Sequence, residues 1–163
     1  MPEAYAGQRT KRRKDIMSVS NEVRQASDRF YSALGRLING DASPILETLS
    51  QGPEISMLHP LGGRVVGAEA VRRNLQEIAM AISNGQVAAE DLVIVPVTSD
   101  VAYTLCTERA QGTIGGETVN FETRATNLYR NEDGEWKLMH HHVDLAPEAA
   151  AALQRFLARI PAH

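Results

Sequence analysis

From Ser18 onward the chain takes up a clear hydrophobic period. Val23, Ala26, Phe30, Ala33, Leu34, Leu37 and Ile38 recur at steps of three and four residues, forming one apolar stripe of an amphipathic helix. Asn39-Gly40 closes it, because glycine takes the left-handed conformation of a helix end at little cost. Asp41 or Ser43 can cap a short second helix, with Pro44 in its first turn and Ile45 and Leu49 buried. A short strand is expected at 55–58, a loop at His59-Pro60-Leu61-Gly62-Gly63, and a small returning strand at 64–66. Residues 67–82 then repeat the helical period through Ala70, Val71, Leu75, Ile78, Ala79 and Ile82.

After Asn84-Gly85 the period changes to two and stays there. Four strands are predicted, at 87–97, 101–114, 118–130 and 135–143, joined through Ser99-Asp100, Gly115-Gly116 and Asn131-Glu132-Asp133-Gly134. A last helix is predicted at 147–159, with Leu153, Phe156, Leu157 and Ile160 as its buried stripe. Helices followed by a long meander give an α+β layer fold rather than βαβ winding. Strands this long must twist and curl, so the antiparallel sheet should form a cone-shaped half-barrel. The N-terminal helices would pack on its concave face, and its wide end is the natural pocket. The organisation expected is a disordered basic tail at 1–16, the α+β domain at 17–146 and a C-terminal helix at 147–163.

Composition narrows this picture. A length of 163 residues suits one domain, and 43% hydrophobic content supports a core that rests on aliphatic side chains, since aromatics are only 5%. A formal charge of -3 argues against a nucleic-acid binder. The basic run Lys11-Arg12-Arg13-Lys14 reads as a solvated tail, with a nuclear signal or RNA contact as alternatives. Cys106 is the only cysteine, so no intrachain disulfide can form. No apolar run approaches the ~20 residues of a membrane span, and no apolar core follows the N-terminal charges as in a signal peptide. The expectation is a cytoplasmic protein with no membrane partner.

Several motifs together resemble one family. They are Phe30-Tyr31-Ser32-Ala33-Leu34 with Asn39-Gly40-Asp41, then His59-Pro60-Leu61-Gly62-Gly63, Arg124-x-Thr126, the run Tyr129 to Lys137 containing Asp133-Gly134-Glu135-Trp136, and His140-His141-His142. The pattern over about 18–145 is similar to the SnoaL-like branch of the nuclear transport factor 2-like, or ketosteroid isomerase-like, superfamily. The resemblance implies the cone-shaped fold. It leaves the activity open, because that superfamily holds isomerases, cyclases, dehydratases, epoxide hydrolases, transport factors and assembly domains.

Candidate chemistry starts at His59, which begins the loop at the expected pocket mouth. The resemblance implies a proton-shuttling base near this position, and a histidine titrating near neutrality can serve. Alternatively His59 packs on Pro60 and hydrogen-bonds the loop. With Gly115-Gly116 as a hairpin tip, Glu108 and Arg124 lie opposite within about one position. Alternation then groups Thr104, Cys106 and Glu108 against Arg124, Thr126 and Leu128. Such a pair would let Arg124 hold a carboxylate or enolate oxygen in a pocket wall, or would be a salt bridge on a wet face. In the isomerase-like relatives an oxyanion-stabilising acid falls near Thr126; threonine is no acid, which argues against steroid isomerisation. The relatives' other oxyanion donor is a tyrosine on the first helix, where Tyr31 lies at the pocket edge or in the core.

Of the three consecutive histidines, 140 and 142 share a strand face and 141 points the other way. Only His59 could add a third ligand, so neither a metal nor another cofactor is expected. The family analogy places Met139, His141 and Val143 on the concave face. Trp136 and Leu138 would then lie under a terminal helix or in a homodimer interface, and a bulge would invert the assignment. Cys106 reads as an inert core residue.

Two readings follow. In one, His59 shuttles a proton and Arg124 stabilises oxyanion charge on a carbonyl-bearing apolar substrate, with Tyr31, Glu108, Thr126 and His141 lining the site, as in an isomerase, cyclase or dehydratase. In the other, the same fold only binds a small molecule or dimerises.

Overall fold

A computed structural model describes the backbone of residues 3–160 and the side chains of residues 15–160. In chain order it comprises α1 (Glu3–Leu37), α2 (Ser43–Glu47), β1 (Ser56–Leu58), β2 (Arg64–Val66), α3 (Ala68–Ala81), β3 (Ile82–Pro96), β4 (Val101–Ile114), β5 (Glu117–Glu132), β6 (Glu135–Val143) and α4 (Pro147–Leu157). The helix α1 begins ahead of its apolar stripe, so the segment expected as a tail overlaps it from residue 3; the side chains of the basic run 11–14 lie outside the described residues.

The six strands form one curved, unclosed sheet in the order β2-β1-β6-β5-β4-β3. Every neighbouring pair is antiparallel except β1 and β6, which run parallel with Met57 opposite His141. Its curl has local causes. Two extra residues on β3 shift its register against β4, with Asn84 at φ 51° and Asp91 at φ 55°. The Asn84-Gly85 signal is therefore a bulge inside a strand that starts directly from α3, not a break before it. The Asn39 side chain seats the end of α1 on that bulge. It accepts from Gly85 N at 3.0 Å and donates to Gly85 O at 2.8 Å, and a side chain at 85 would overlap Ile38.

The concave face of the sheet and the helices α1–α3 enclose the core, where Phe30, Leu37, Ile45, Met57, Leu75, Tyr129 and Leu138 are almost fully buried. A third bulge, at Met139, corrects the expected parity of β6. Leu138 pairs with Tyr129 and His140 with Leu128, so the extra residue turns both Trp136–Leu138 and His141–Val143 inward. Trp136 is buried and donates to Glu22 Oε2 on α1 at 2.9 Å. Neither it nor Leu138 is available for a homodimer interface.

Helix α4 packs across the β4–β5 hairpin end through Ala149 and Ala152, against Ile114 and Val119. The expected stripe shifts accordingly. The face that docks is 149, 152, 153 and 156, while Leu157 and Ile160 at the helix end are half exposed. Ala146 N donates to Pro60 O at 2.8 Å, tying the start of α4 to the loop after β1.

Candidate active site

The concave face and α1 and α3 leave an interior cavity of about 80 Å³, bordered at one end by His59, Pro60 and Leu61. Its walls are chiefly apolar, with Phe30, Leu34, Leu37, Met57, Leu75 and Ile78 prominent. Among the described residues, the polar side chains that reach it are His59, Glu108, Gln111 and His141, and no lysine or arginine lines it.

The hairpin arithmetic explains which residues point inward. Gly115 and Gly116, at φ 57° and 87°, make a two-residue turn with both central residues left-handed. Ile114 then pairs with Glu117, Glu108 with Thr123, and Thr107 with Arg124. Even-numbered residues of β4 therefore share the concave face with odd-numbered residues of β5. Thr104, Cys106 and Glu108 are buried alongside Thr123, Ala125, Asn127 and Tyr129.

Glu108 and Arg124 lie one position out of register, within the expected latitude, but that one position corrects the expected shared face and puts Arg124 and Thr126 on the outer side. The Arg124 side chain is 86% exposed and pairs with Asp144, Nε to Oδ2 at 2.7 Å. Thr126, also exposed, borders a shallow outer groove with His142 and Asp144. Neither reaches the cavity, so Arg124 does not converge with His59 on a ligand.

Four of the expected residues do gather in the interior. Tyr31 OH donates to Glu108 Oε1 at 2.7 Å and lies 3.1 Å from Cys106 Sγ. Asn127 Nδ2 donates to the same phenol oxygen at 3.0 Å, and Asn127 Oδ1 lies 2.6 Å from His141 Nδ1. Glu108 and His141 face the cavity; Tyr31 and Asn127 stand behind them. Thus Tyr31 supports Glu108 rather than touching a ligand. Asn127, which sequence reasoning passed over, is fully buried at the centre of the network. His59 lines the cavity with Nε2 buried and without a hydrogen-bond partner.

The outer histidines form no centre. The rings of His140 and His142 lie edge to face 6.1 Å apart, and His140 Nδ1 is 2.8 Å from Ser56 Oγ. Among the described residues, no three His, Cys, Asp or Glu side chains gather closely enough to hold a metal ion.

The model of the SnoaL-like domain family matches residues 23–146, about three quarters of the chain, including every side chain of the site just described. The chain belongs to the SnoaL-like family. No curated protein matches it. Solved structures share the fold at low identity. A proposed dehydratase of the NTF2-like family from Streptomyces avermitilis is 23% identical over 80% of this chain and 98% of that one, with a TM-score of 0.68. A ketosteroid isomerase-like protein from Erwinia carotovora atroseptica is 13% identical over 77% and 94%, with a TM-score of 0.65. An NTF2-like superfamily protein from Salmonella enterica is 17% identical over 80% and 93%, at 0.69. At these identities the likeness concerns the fold, and the chemistry has to come from the SnoaL-like site itself. No helix among the described residues is long and apolar enough to cross a membrane.

Burial sets the charges in this SnoaL-like cavity. Among the described residues no cation stands beside Glu108, and desolvation lifts its carboxyl to about 7, against the lowering effect of the Tyr31 hydrogen bond. Desolvation, and after it the neighbouring histidines, holds His141 down at about 3, so its imidazole is neutral at pH 7. The 3.9 Å between His141 Nε2 and Glu108 Oε1 is therefore no ion pair, and it exceeds hydrogen-bond length. Burial also lowers His59. Burial, then Glu108, raises the Tyr31 phenol far above its ordinary value, keeping it a neutral donor. Cys106 is raised by burial, so no thiolate nucleophile stands here. The site thus offers a carboxyl poised to gain or lose a proton near neutrality, among neutral hydrogen-bonding groups.

Proposed function

We propose that this SnoaL-like domain takes a small neutral carbonyl compound into the cavity and moves a proton on it, with Glu108 as the general base and acid. The carboxylate would accept a proton from carbon next to the carbonyl, the C–H electron pair forming the enolate. His59, its Nε2 unpaired, would hydrogen-bond the enolate oxygen. Returning the proton to another carbon gives isomerisation. Expelling a hydroxyl from the next carbon, with the same proton leaving as water, gives dehydration. A proton-transferring site of this kind belongs to the isomerase, cyclase and dehydratase class.

The observation that carries this reading is Glu108 itself: a carboxyl buried in an apolar cavity, unpaired with any cation and lifted to about 7. The test needs no knowledge of the natural substrate. Hydrogen–deuterium exchange at the α-carbons of butanone in D2O reports enolisation directly by NMR. The protein should accelerate it, with the rate rising as pH passes through 7. Glu108→Gln should cut the acceleration by roughly 10²-fold or more, the usual share of a general base. Equal exchange with wild type and E108Q would remove Glu108 from any such chemistry.

A second reading, binding without turnover, draws on the cavity's size. About 80 Å³ is near half of the roughly 150 Å³ that accommodates benzene in an apolar engineered cavity. Any ring-sized ligand requires the walls to give way.

A further inference from the structure

The network behind the cavity has a direction, and the direction specifies what a ligand must bring. Tyr31 OH spends its single proton on Glu108 Oε1, 2.7 Å away. Its oxygen accepts from Asn127 Nδ2 at 3.0 Å, which leaves the amide Oδ1 toward His141. An amide oxygen can only accept, so the 2.6 Å contact requires a proton on His141 Nδ1. Asn127 is 0% and His141 4% exposed, so no bulk water reverses the chain. A neutral imidazole carries one N–H. Its Nε2 is therefore a bare lone pair, without a partner among the described residues and 3.9 Å from Glu108 Oε1.

We propose that the cavity selects a neutral ligand bearing a hydroxyl group, donated to His141 Nε2, over ketones and carboxylates, and that Asn127 is the residue that sets this preference. The inference rests on the cavity being the ligand site, as proposed above. A hydroxyl can donate to Nε2 and accept from protonated Glu108 at once. A ketone can only accept, so it offers Nε2 no donor while displacing any water that could. A carboxylate meets an acceptor and a second carboxyl and no cation, because Arg124, the side chain expected to receive an anion, lies on the outer face. Joined to proton abstraction beside a carbonyl, the preferred substrate is a hydroxy ketone, whose hydroxyl is anchored at His141.

The experiment uses the full chain labelled with ¹⁵N-histidine at pH 6, titrated with 2-butanol, butanone and butyrate, which match in size. Long-range ¹H–¹⁵N correlation should show His141 protonated at Nδ1, with its Nε2 resonance moving on addition of 2-butanol. The dissociation constant for 2-butanol should lie below that of butanone, and below that of butyrate by at least about tenfold. In Asn127→Leu the fixed tautomer and the alcohol–ketone preference should both be lost. A proton on Nε2 in the wild type, or butyrate binding as well as 2-butanol, overturns the proposal. Both readouts come from the wild type and stand even where N127L fails to fold. The α-exchange assay with E108Q is separate, so ligand preference and proton transfer can fail independently.

Discussion

At the scale of single residues, Glu108 couples the site to stability. Its folded value of about 7 lies above the ordinary 4.5, so between those pH values the folded chain holds a proton that the unfolded chain has released. Stability contributed by this group therefore falls as pH rises from 4.5 to 7 and is level beyond, a loss of about 3 kcal/mol. His141 acts with the opposite sign. Its folded value of about 3 lies below 6.5, so its contribution is present above 6.5 and is lost as pH falls toward 3. Comparing E108Q with wild type isolates the first effect. The stability difference from urea unfolding should move in favour of E108Q by about 3 kcal/mol between pH 4.5 and 7.5; a pH-independent difference would show that Glu108 titrates normally. Tyr31→Phe should push the Glu108 midpoint further up, since the lost hydrogen bond is what lowers it. It should also cost about 1–3 kcal/mol, because Asn127 Nδ2 loses its acceptor. A lowered Glu108 midpoint in Y31F would contradict the assigned bond.

At the scale of elements, the β4–β5 hairpin decides the site. Its turn was legible in Gly115-Gly116, and so were the strands on either side. With a two-residue turn the opposed positions sum to an odd number, which pairs Glu108 with Thr123. Placing 108 and 124 opposite only within about one position left the face undecided, and grouping Arg124 and Thr126 with Glu108 chose the wrong one. That error was avoidable from the sequence. The Met139 bulge was not, because no glycine or proline marks it and only packing against β5 reveals it. His59 was singled out by its place after a buried strand and by the family resemblance, Glu108 by hairpin pairing and His141 by family analogy; all three line the cavity. The same hairpin seats α4. A Cβ on Gly115 would lie 2.8 Å from Phe156 Cβ, at a φ of 57°. Gly115→Ala should cost about 1–3 kcal/mol in thermal or urea unfolding, and part of that cost should vanish in a Phe156→Ala background. An unchanged cost would mean that α4 does not press on the turn.

At the scale of the whole molecule, long strands, three bulges and helices on one face produce a curved, unclosed half-barrel rather than a flat sheet. Periodicity in the sequence was enough to foresee that architecture, because curling is forced on strands of 14–16 residues such as β3, β4 and β5. How far the cone is filled was not foreseeable, since it depends on how side chains interdigitate. The result is a small interior space in which one carboxyl is buried without a counter-charge. Everything proposed for function descends from that burial. It is tested most directly by the ¹³C-carboxyl NMR titration of Glu108, assigned by its absence in E108Q. The account predicts a midpoint near 7; a midpoint at or below 4.5 would contradict it.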